Sequence, residues 1–335
     1  MDIKEVILPE EKQRIIDFLG QFGLKYEDNI DQTIYMEDGD KIVATISASK
    51  DVIKCLAVSP EYRNENCAVT LVGEMIKRLH AAGIYHYQVF TKVTYRDIFL
   101  SLGFTLLIET GKVSVLEGGE GNINSVIEKM RVQLKFGLGL DSGGKSSDIA
   151  CVVINGNPFT NGHLRLVEYA AERHKYVLVM IVEEEGSLFT FRERYAMAYL
   201  ALKPYYNVLV LPSSHYVVSR ATFPGYFLKT ADEATQEYAE YDAMIFRNYF
   251  IPKLGIKVRY VGSETQPYMR IYNDTLRKIL GNKLEVVPRF EEDGEVISAA
   301  KVRALLSEGK IEEALKYVPR SNYAIFKGMV LSRNE

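Results

Sequence analysis

The segment formed by residues 149–163 constrains the fold more than any other part of the chain. Its first six residues, 149–154, are an unbroken apolar run, which is typical of a central parallel strand covered on both faces. Turn-forming residues interrupt the run at 155–158, and apolar residues return at helical spacing from Leu164 onward. The segment therefore predicts a buried strand, a tight turn and a helix.

The predicted helix begins with Thr160, Asn161, Gly162 and His163. Free N–H groups and the helix dipole favour anions at such an end, and glycine lets a ligand approach the backbone closely. The Thr160 hydroxyl and the His163 imidazole add two polar groups. These residues predict a phosphate site, although a turn in which His163 only caps the helix would give the same pattern.

A second helix start lies near the C-terminus, in residues 297–303. Ser298 is placed as its N-cap, and Lys301 and Arg303 bring cations into its first turns. A capped surface helix would show the same residues. With the first motif, however, the chain has two candidate phosphate-binding helix ends.

Strand and helix patterns alternate between the two motifs. The predicted strands are 176–182, 208–211, 257–261 and 284–287, and the predicted helices are 190–202, 232–250 and 271–280, with a small closing helix at 310–319. With the strand at 149–154 they predict a five-stranded, doubly wound parallel sheet of Rossmann-like α/β type. Ligands of such sheets bind beyond the carboxyl ends of the strands.

The N-terminal part of the chain has a different pattern. Residues 42–47 and 53–58 alternate like paired antiparallel strands, and 69–79 is an amphipathic helix. We therefore predict an α+β domain at 1–116, a linker with a helix and a Gly/Ser-rich segment at 117–147, and the parallel-sheet domain at 148–335. The linker matches the P-loop pattern at 139–146, but the segment that follows is a strand rather than the helix that a P-loop requires.

The two helix-start motifs resemble the (H/T)xGH and ISxxxxR signatures of the nucleotidylyltransferase superfamily. Ala300 departs from the second signature, because many members carry Ser or Thr there. The form Asn-Pro-Phe-Thr-x-Gly-His and the segments 221–227, 260–262 and 270–273 extend the likeness, so that the chain as a whole resembles the citrate lyase ligase family. That resemblance implies an enzyme that uses ATP to adenylate acetate, releases pyrophosphate, and acetylates the CoA-like prosthetic group of the citrate lyase acyl carrier protein.

The resemblance also implies roles for individual residues. The expected catalytic residues are His163, Thr160 and Arg303; the expected ATP-binding residues are Asn155, Pro158, Phe159, Gly162, Gly262, Glu264, Ser298 and Lys301; and the expected acyl pocket is formed by Phe223 and Tyr226. No cluster of Asp and Glu identifies ligands for Mg²⁺, so we expect the triphosphate to hold the ion.

The N-terminal domain resembles the GNAT acetyltransferases, in which an Arg/Gln-x-x-Gly-x-Gly/Ala turn binds acetyl-CoA pyrophosphate. Arg63 and Ala68 fit this turn, but Asn66 replaces a glycine. Asn tolerates left-handed backbone, yet its side chain obstructs a phosphate. We expect a degenerate domain that binds the CoA-like arm of the partner or only stabilises the enzyme.

Composition excludes several other classes of protein. A net charge of −3 over 335 residues does not indicate nucleic-acid binding, and Cys55, Cys67 and Cys151 have neither metal-site nor disulfide spacing. No signal-peptide core or membrane-length apolar run is present, so a cytoplasmic enzyme is expected. Three alternatives stay open: an adenylyltransferase for a phosphopantetheine-like or mononucleotide substrate, an acetyl-CoA-dependent acetyltransferase, and a non-catalytic carrier-binding protein.

Overall fold

The computed structural model describes residues 2–139, 148–184, 187–218, 223–264, 267–292 and 294–333. The chain forms two compact units: one contains Met1–Asn122 and Pro224–Glu237, and the other contains Ile123–Phe223 and Tyr238–Glu335. These limits differ from the predicted domains in two segments. The helix expected in the linker belongs to the second unit, and Pro224–Glu237 belongs to the first. Most of the P-loop-like segment, 140–147, lies outside the described residues.

The first unit is built on a mixed sheet. Its strands are β1 (Ile3–Glu5), β2 (Gln32–Asp38), β3 (Lys41–Ser49), β4 (Val52–Val58), β5 (His86–Lys92), β6 (Thr105–Glu109) and β7 (Val113–Gly119), and its helices include α1 (Pro9–Gly20), α2 (Cys67–Ala81) and α3 (Arg96–Ser101). Over the described residues the strand order is β1-β2-β3-β4-β5-β7-β6. The predicted α+β architecture and the antiparallel β3–β4 pair are confirmed.

One pair of neighbouring strands in this sheet is parallel. β4 and β5 pair only where Val52 meets Gln88 and Ile53 meets Val89. Beyond Ile53 the two strands no longer pair with each other, so the sheet opens between them. This opening makes room for a cavity in the first unit.

The second unit contains the parallel sheet. Its helices and strands in chain order are α4 (Ile123–Leu138), β8 (Ile149–Ile154), α5 (Asn161–Ala171), β9 (Tyr176–Ile181), α6 (Phe191–Leu202), β10 (Val208–Pro212), α7 (Ala231–Ile245, from Tyr238 on), α8 (Ile251–Leu254), β11 (Ile256–Gly262), α9 (Pro267–Leu280), β12 (Leu284–Val287), β13 (Glu291–Glu292), β14 (Glu295–Val296), α10 (Ala299–Ser307), α11 (Ile311–Leu315) and α12 (Tyr323–Leu331). The short pair β13–β14 forms a separate antiparallel hairpin.

The five strands of the larger sheet lie in the order β10-β9-β8-β11-β12, and all neighbours are parallel. This confirms the predicted doubly wound sheet. The chain builds β8, β9 and β10 toward one edge and then places β11 and β12 on the other side of β8. The carboxyl ends of β8 and β11 therefore meet at the topological switch point, where ligands of such sheets bind.

The two faces of the sheet differ in their surroundings near this point. Cys151 pairs with Arg259 and Val152 with Tyr260, so members of each pair lie on the same face. Val152 and Tyr260 belong to the core that packs against α5. Arg259 therefore lies on the opposite face, with Cys151.

The three cysteines agree with the expected reduced thiols. Cys55, Cys67 and Cys151 are buried and form no disulfide. Burial raises the pKa of Cys55 and Cys151 to about 12, which keeps both as unreactive thiols. Within the described ranges, no helix combines the length and apolar character needed to cross a membrane.

Candidate active site

An open cleft of about 510 Å³ lies at the switch point of the second unit. The turn after β8, the first turn of α5, the loops after β11 and β12, and the first turn of α10 all line it. Eight residues named from the sequence lie along it: Asn155, Thr160, Gly162, His163, Gly262, Glu264, Ser298 and Arg303. The structure thus brings the two helix-start motifs into one cleft.

The hydrogen bonds of His163 determine what its imidazole can do. Its Nδ1 accepts the backbone N–H of Thr160 at 3.0 Å, and the Thr160 hydroxyl lies 3.0 Å from the same nitrogen. Because Nδ1 is an acceptor, the proton of the neutral ring is on Nε2. Burial and the nearby charge of Arg289 lower the pKa of His163 to about 4. At neutral pH the ring is therefore an uncharged donor through Nε2.

Two arginines bring positive charge to the cleft. Arg303 Nη1 donates to the carbonyl of Asn157 at 2.5 Å, which fastens α10 to the turn after β8. Arg289, which the sequence analysis missed, donates through Nε to the Ser263 carbonyl at 2.8 Å and forms an ion pair with Glu264. Arg289 follows β12 by two residues, so the strand-edge rule that indicated Gly262 could also have found it.

The start of α10 is capped as predicted, but Lys301 does not line the cleft. Ser298 Oγ accepts the Lys301 backbone N–H at 3.1 Å. The Lys301 ammonium group forms an ion pair with Glu295 and lies 4.6 Å from the centroid of the Tyr317 ring. The ammonium group of Lys301 is thus held by two side chains that do not line the cleft.

Three other residues expected to bind ATP, Pro158, Phe159 and Gly162, differ in their surroundings. Pro158 is buried, and Phe159 is a core residue whose ring centroid lies 5.5 Å from that of His163. Neither lines the cleft. A Cβ added to Gly162 would lie 3.4 Å from Ile297 Cγ2, an ordinary contact distance. The protein atoms around Gly162 therefore leave room for a Cβ.

A buried arginine, Arg194, supports the turn after β8. It is fully buried on α6, and its Nη1 donates to the Asn155 carbonyl at 2.6 Å and to Asn155 Oδ1 at 2.9 Å. Its Nη2 donates to the carbonyl of Glu184, which follows β9, at 2.5 Å. Arg194 shares an apolar helix face with Met197 and Ala198, a pattern that could have identified it from the sequence.

The two residues expected in the acyl pocket, Phe223 and Tyr226, belong to different units. Phe223 belongs to the second unit, where its ring centroid lies 5.9 Å from that of Tyr238. Tyr226 belongs to the first unit, is buried, and donates its hydroxyl to the Phe90 carbonyl at 2.7 Å. The first two residues of the 221–227 segment, Ala221 and Thr222, lie outside the described residues.

The first unit has its own cavity, of about 260 Å³, where β4 and β5 diverge. Arg63 and Ala68, the two residues that fit the expected turn, line it together with Lys92 and Tyr226. Asn66 takes the left-handed backbone conformation, with φ of 56°, directly before α2. This asparagine therefore supplies the backbone shape for which glycine is usually needed.

Comparison with known proteins agrees with this architecture. The family model for the citrate lyase ligase C-terminal domain matches residues 149–326. The citrate (pro-3S)-lyase ligase of Escherichia coli strain K12 is 31% identical over 317 residues, covering 91% of this chain and 87% of the relative. The chain belongs to the citrate lyase ligase family. Ligases of the same name from Haemophilus influenzae (30% identical, 95% of this chain and 96% of the relative) and Klebsiella pneumoniae (29%, 99% and 98%) are also similar.

Solved structures similar to this chain include acetyltransferases. A GNAT-family acetyltransferase from Staphylococcus aureus Mu50 is 14% identical with a TM-score of 0.31, covering 36% of this chain and 100% of that protein. An aminoglycoside 6'-N-acetyltransferase complexed with coenzyme A is 13% identical with a TM-score of 0.31, covering 36% and 97%.

Proposed function

We propose that the cleft of the second unit binds ATP and activates acetate as acetyl-adenylate. As a member of the citrate lyase ligase family, the chain is a ligase that uses ATP and acetylates the acyl carrier protein of citrate lyase. One observation carries the assignment of the site: the N-termini of α5 and α10 meet in one cleft with His163, Arg289 and Arg303. Helix N-termini with added cations are suited to a triphosphate.

The adenylation step needs no protein base, because acetate is already ionised at neutral pH. One carboxylate oxygen forms a bond to the α-phosphorus. The bond from that phosphorus to the oxygen bridging to the β-phosphorus breaks, and pyrophosphate leaves with the electron pair. Negative charge grows on the phosphate oxygens during this exchange. In our proposal the Nε2–H of His163 stabilises that charge, while Arg303, Arg289 and the α10 N-terminus bind the leaving pyrophosphate.

Thr160 acts in this proposal mainly through His163, since its backbone N–H holds the ring. Three further cleft residues complete the proposed ATP site: Asn155, which Arg194 holds, Gly262 and Ser298. Glu264 acts through its ion pair with Arg289.

We also propose Mg²⁺ as the ion that accompanies ATP. Among the described residues that line the cleft, Glu264 provides the one carboxylate, and it is paired with Arg289. Mg²⁺ keeps several waters and is commonly held through substrate phosphates. The triphosphate oxygens and water would therefore supply most of its ligands here.

The acetyl group then passes to the prosthetic-group thiol of the carrier. The thiolate attacks the acetyl carbon of the adenylate, the new C–S bond forms, and AMP leaves with the electrons of the broken C–O bond.

We propose that the cavity of the first unit binds the CoA-like arm of the prosthetic group, because the cavity has apolar walls and is also lined by Arg63 and Lys92. Binding of free CoA to the Arg63→Ala variant, compared with the unchanged protein, tests this assignment.

Exchange of labelled pyrophosphate into ATP tests the proposed reaction. We expect exchange that requires acetate and no carrier, because the adenylate forms before the thiol reacts. Exchange that depends on a phosphopantetheine-like compound or a mononucleotide would instead indicate an adenylyltransferase. Transfer from acetyl-CoA without ATP would assign the activity to the first unit, and carrier binding without turnover would indicate a non-catalytic protein.

A further inference from the structure

The cleft extends across the sheet edge to the face opposite α5, where Arg259 lies. Its side chain is 2% exposed and yet lines the cleft. Val153, on the strand that leads to the His163 turn, lies on the same face of the sheet as Arg259 and also lines the cleft, as do Tyr238 and Tyr272. A buried cation therefore lies beside the carboxyl ends of β8 and β11, on the other face from the phosphate-binding motif.

The hydrogen bonds of Arg259 are incomplete. Its Nη2 lies 2.9 Å from Asp242 Oδ2 and donates to the Tyr272 hydroxyl at 3.0 Å. Its Nε and Nη1 are buried and have no hydrogen-bond partner among the described residues. A buried charged donor without an acceptor destabilises the folded protein. The arrangement is thus suited to an acceptor that enters through the cleft.

The residues around Arg259 keep it charged and fixed. Tyr272 donates its hydroxyl to Asp242 Oδ2 at 2.6 Å, so both partners of Nη2 hold each other in place. Burial opposes the charged form, but Asp242 and Tyr272 outweigh it and raise the pKa of Arg259 above its usual range. The guanidinium carbon lies 4.1 Å from the ring centroid of Phe246. A permanent, preorganised cation is the result.

The walls beside this cation are apolar. The rings of Tyr238 and Tyr272 stack with centroids 5.3 Å apart and planes 17° apart, which makes a flat aromatic wall. Val153 adds an aliphatic surface. A ligand that suits both features has an anionic head and a short apolar body, which is the chemistry of a short-chain carboxylate.

We infer that Arg259, Tyr238, Tyr272 and Val153 form the subsite for the acid that the enzyme activates. The inference rests on the function proposed above and names the residues that bind the acid. Arg259 binds one carboxylate oxygen and leaves the other to attack the α-phosphorus, while Tyr238, Tyr272 and Val153 surround the alkyl group. The acid and the phosphates then approach the sheet edge from opposite faces.

The first experiment compares Arg259→Lys with Arg277→Lys in acetate-dependent pyrophosphate exchange. Lysine keeps a positive charge near Asp242 but lacks the N–H groups of Nε and Nη1. We expect the KM for acetate to rise about 10- to 100-fold, the scale for losing a charged hydrogen bond, with the KM for ATP little changed. Arg277 is an exposed residue of α9 that pairs with Asp274, and its variant should behave like the unchanged protein.

The second experiment varies the wall and leaves every charge in place. Val153→Ala enlarges the proposed pocket, so we expect kcat/KM for propionate relative to acetate to rise about 10-fold, as for one added methylene. Val152→Ala is the matched control, because it lies on the same strand and faces the α5 core. Binding of a fluorescent ATP analogue shows for each variant that the cleft is folded.

The outcomes separate the two proposals. Suppose that the unchanged protein shows acetate-dependent exchange and that a folded Arg259→Lys variant has the same KM for acetate. This result would overturn the proposed subsite and leave the proposed function unaffected. If Arg259→Lys does not fold, the Val153→Ala and Val152→Ala variants provide the test. The same ratio of kcat/KM for the longer acid to that for acetate in both variants would overturn the proposed subsite. If the unchanged protein shows no acetate-dependent exchange, both proposals fail.

Discussion

The hydrogen bond from the Thr160 N–H to His163 Nδ1 decides which nitrogen of the ring acts on a ligand. From the sequence, capping the helix and binding phosphate are competing roles for His163. In the structure they are compatible, because the bond that satisfies the helix start leaves the proton on Nε2. The capping interaction is what orients the proposed catalytic donor.

We predict that His163→Ala lowers turnover about 10²- to 10³-fold, the scale for losing one transition-state donor. The helix start also loses its acceptor for the Thr160 N–H, so stability should fall by about 1 kcal/mol. Pyrophosphate exchange and urea unfolding measure the two effects. Arg165→Ala, two residues along and bonded to the Glu291 carbonyl, should keep its turnover; equal turnover in both variants would contradict the role of His163.

A pH dependence follows from the lowered pKa of His163, about 4 against an ordinary value of 6.5. Between these values the unfolded chain binds a proton at this position and the folded chain does not. Stability must therefore fall as the pH decreases from 6.5 toward 4. Urea unfolding of the unchanged protein and of His163→Gln should show a stability difference that declines over this window. A difference independent of pH would show that the folded and unfolded pKa values are alike.

Individual residues also show the limits of what the sequence reveals. The motifs correctly indicated His163 and Arg303 as cleft residues, because both lie at helix starts with a recognisable pattern. They could not show that Glu295 and Tyr317 engage the Lys301 ammonium group, since those contacts depend on how β14 and the segment after α11 fold back. The sequence does not indicate Arg259 as a cleft residue, because its partner Asp242 lies in a separate helix.

At the scale of elements, the capped start of α10 allows a direct separation of binding from stability. We predict that Ser298→Ala costs about 1 kcal/mol of stability through the lost cap and also raises the KM for ATP. Thr190→Ala removes a comparable N-cap from α6, where the Thr190 hydroxyl accepts the Glu193 N–H at 3.3 Å, and Thr190 does not line the cleft. Its stability should fall similarly with an unchanged KM for ATP. A KM that rises equally in both variants would mean that only folding is affected.

Most strands and helices of the second unit could be predicted from apolar periodicity and turn residues. The strand expected at 284–287 has the same limits in the structure, and the helix expected at 190–202 begins one residue later. Strand order was not predictable in detail, because period and composition do not show on which side of β8 the chain places β11. That placement puts Arg259 beside Cys151 and opens the cleft.

At the scale of the whole molecule, the first unit includes a segment that the chain supplies more than 100 residues after the rest of that unit. Tyr226 in this segment is buried, bonds to the Phe90 carbonyl, and accepts the Lys25 N–H at 2.8 Å. From the sequence, Tyr226 is expected in the second domain, because a return of the chain leaves no mark in periodicity or composition.

We predict that a fragment of residues 1–122 is less stable than the unit in the whole chain. A synthetic peptide of residues 223–238 should bind the fragment and raise its Tm. The same peptide with Tyr226→Ala should bind more weakly, by about 3 kcal/mol, the scale for truncating a buried aromatic side chain. A fragment whose thermal unfolding is unaffected by the peptide would contradict the assignment of this segment to the first unit.

The return of the chain at Pro224–Glu237 also bears on how such a protein can change over evolutionary time. A recombination event that exchanged only the first 122 residues would deliver a unit without its complementing segment, which would remain from the other parent. Chimeric enzymes, natural or engineered, should therefore succeed only when both stretches come from one parent. The two stretches of the first unit should therefore be inherited together, although more than 100 residues of the second unit separate them in the chain.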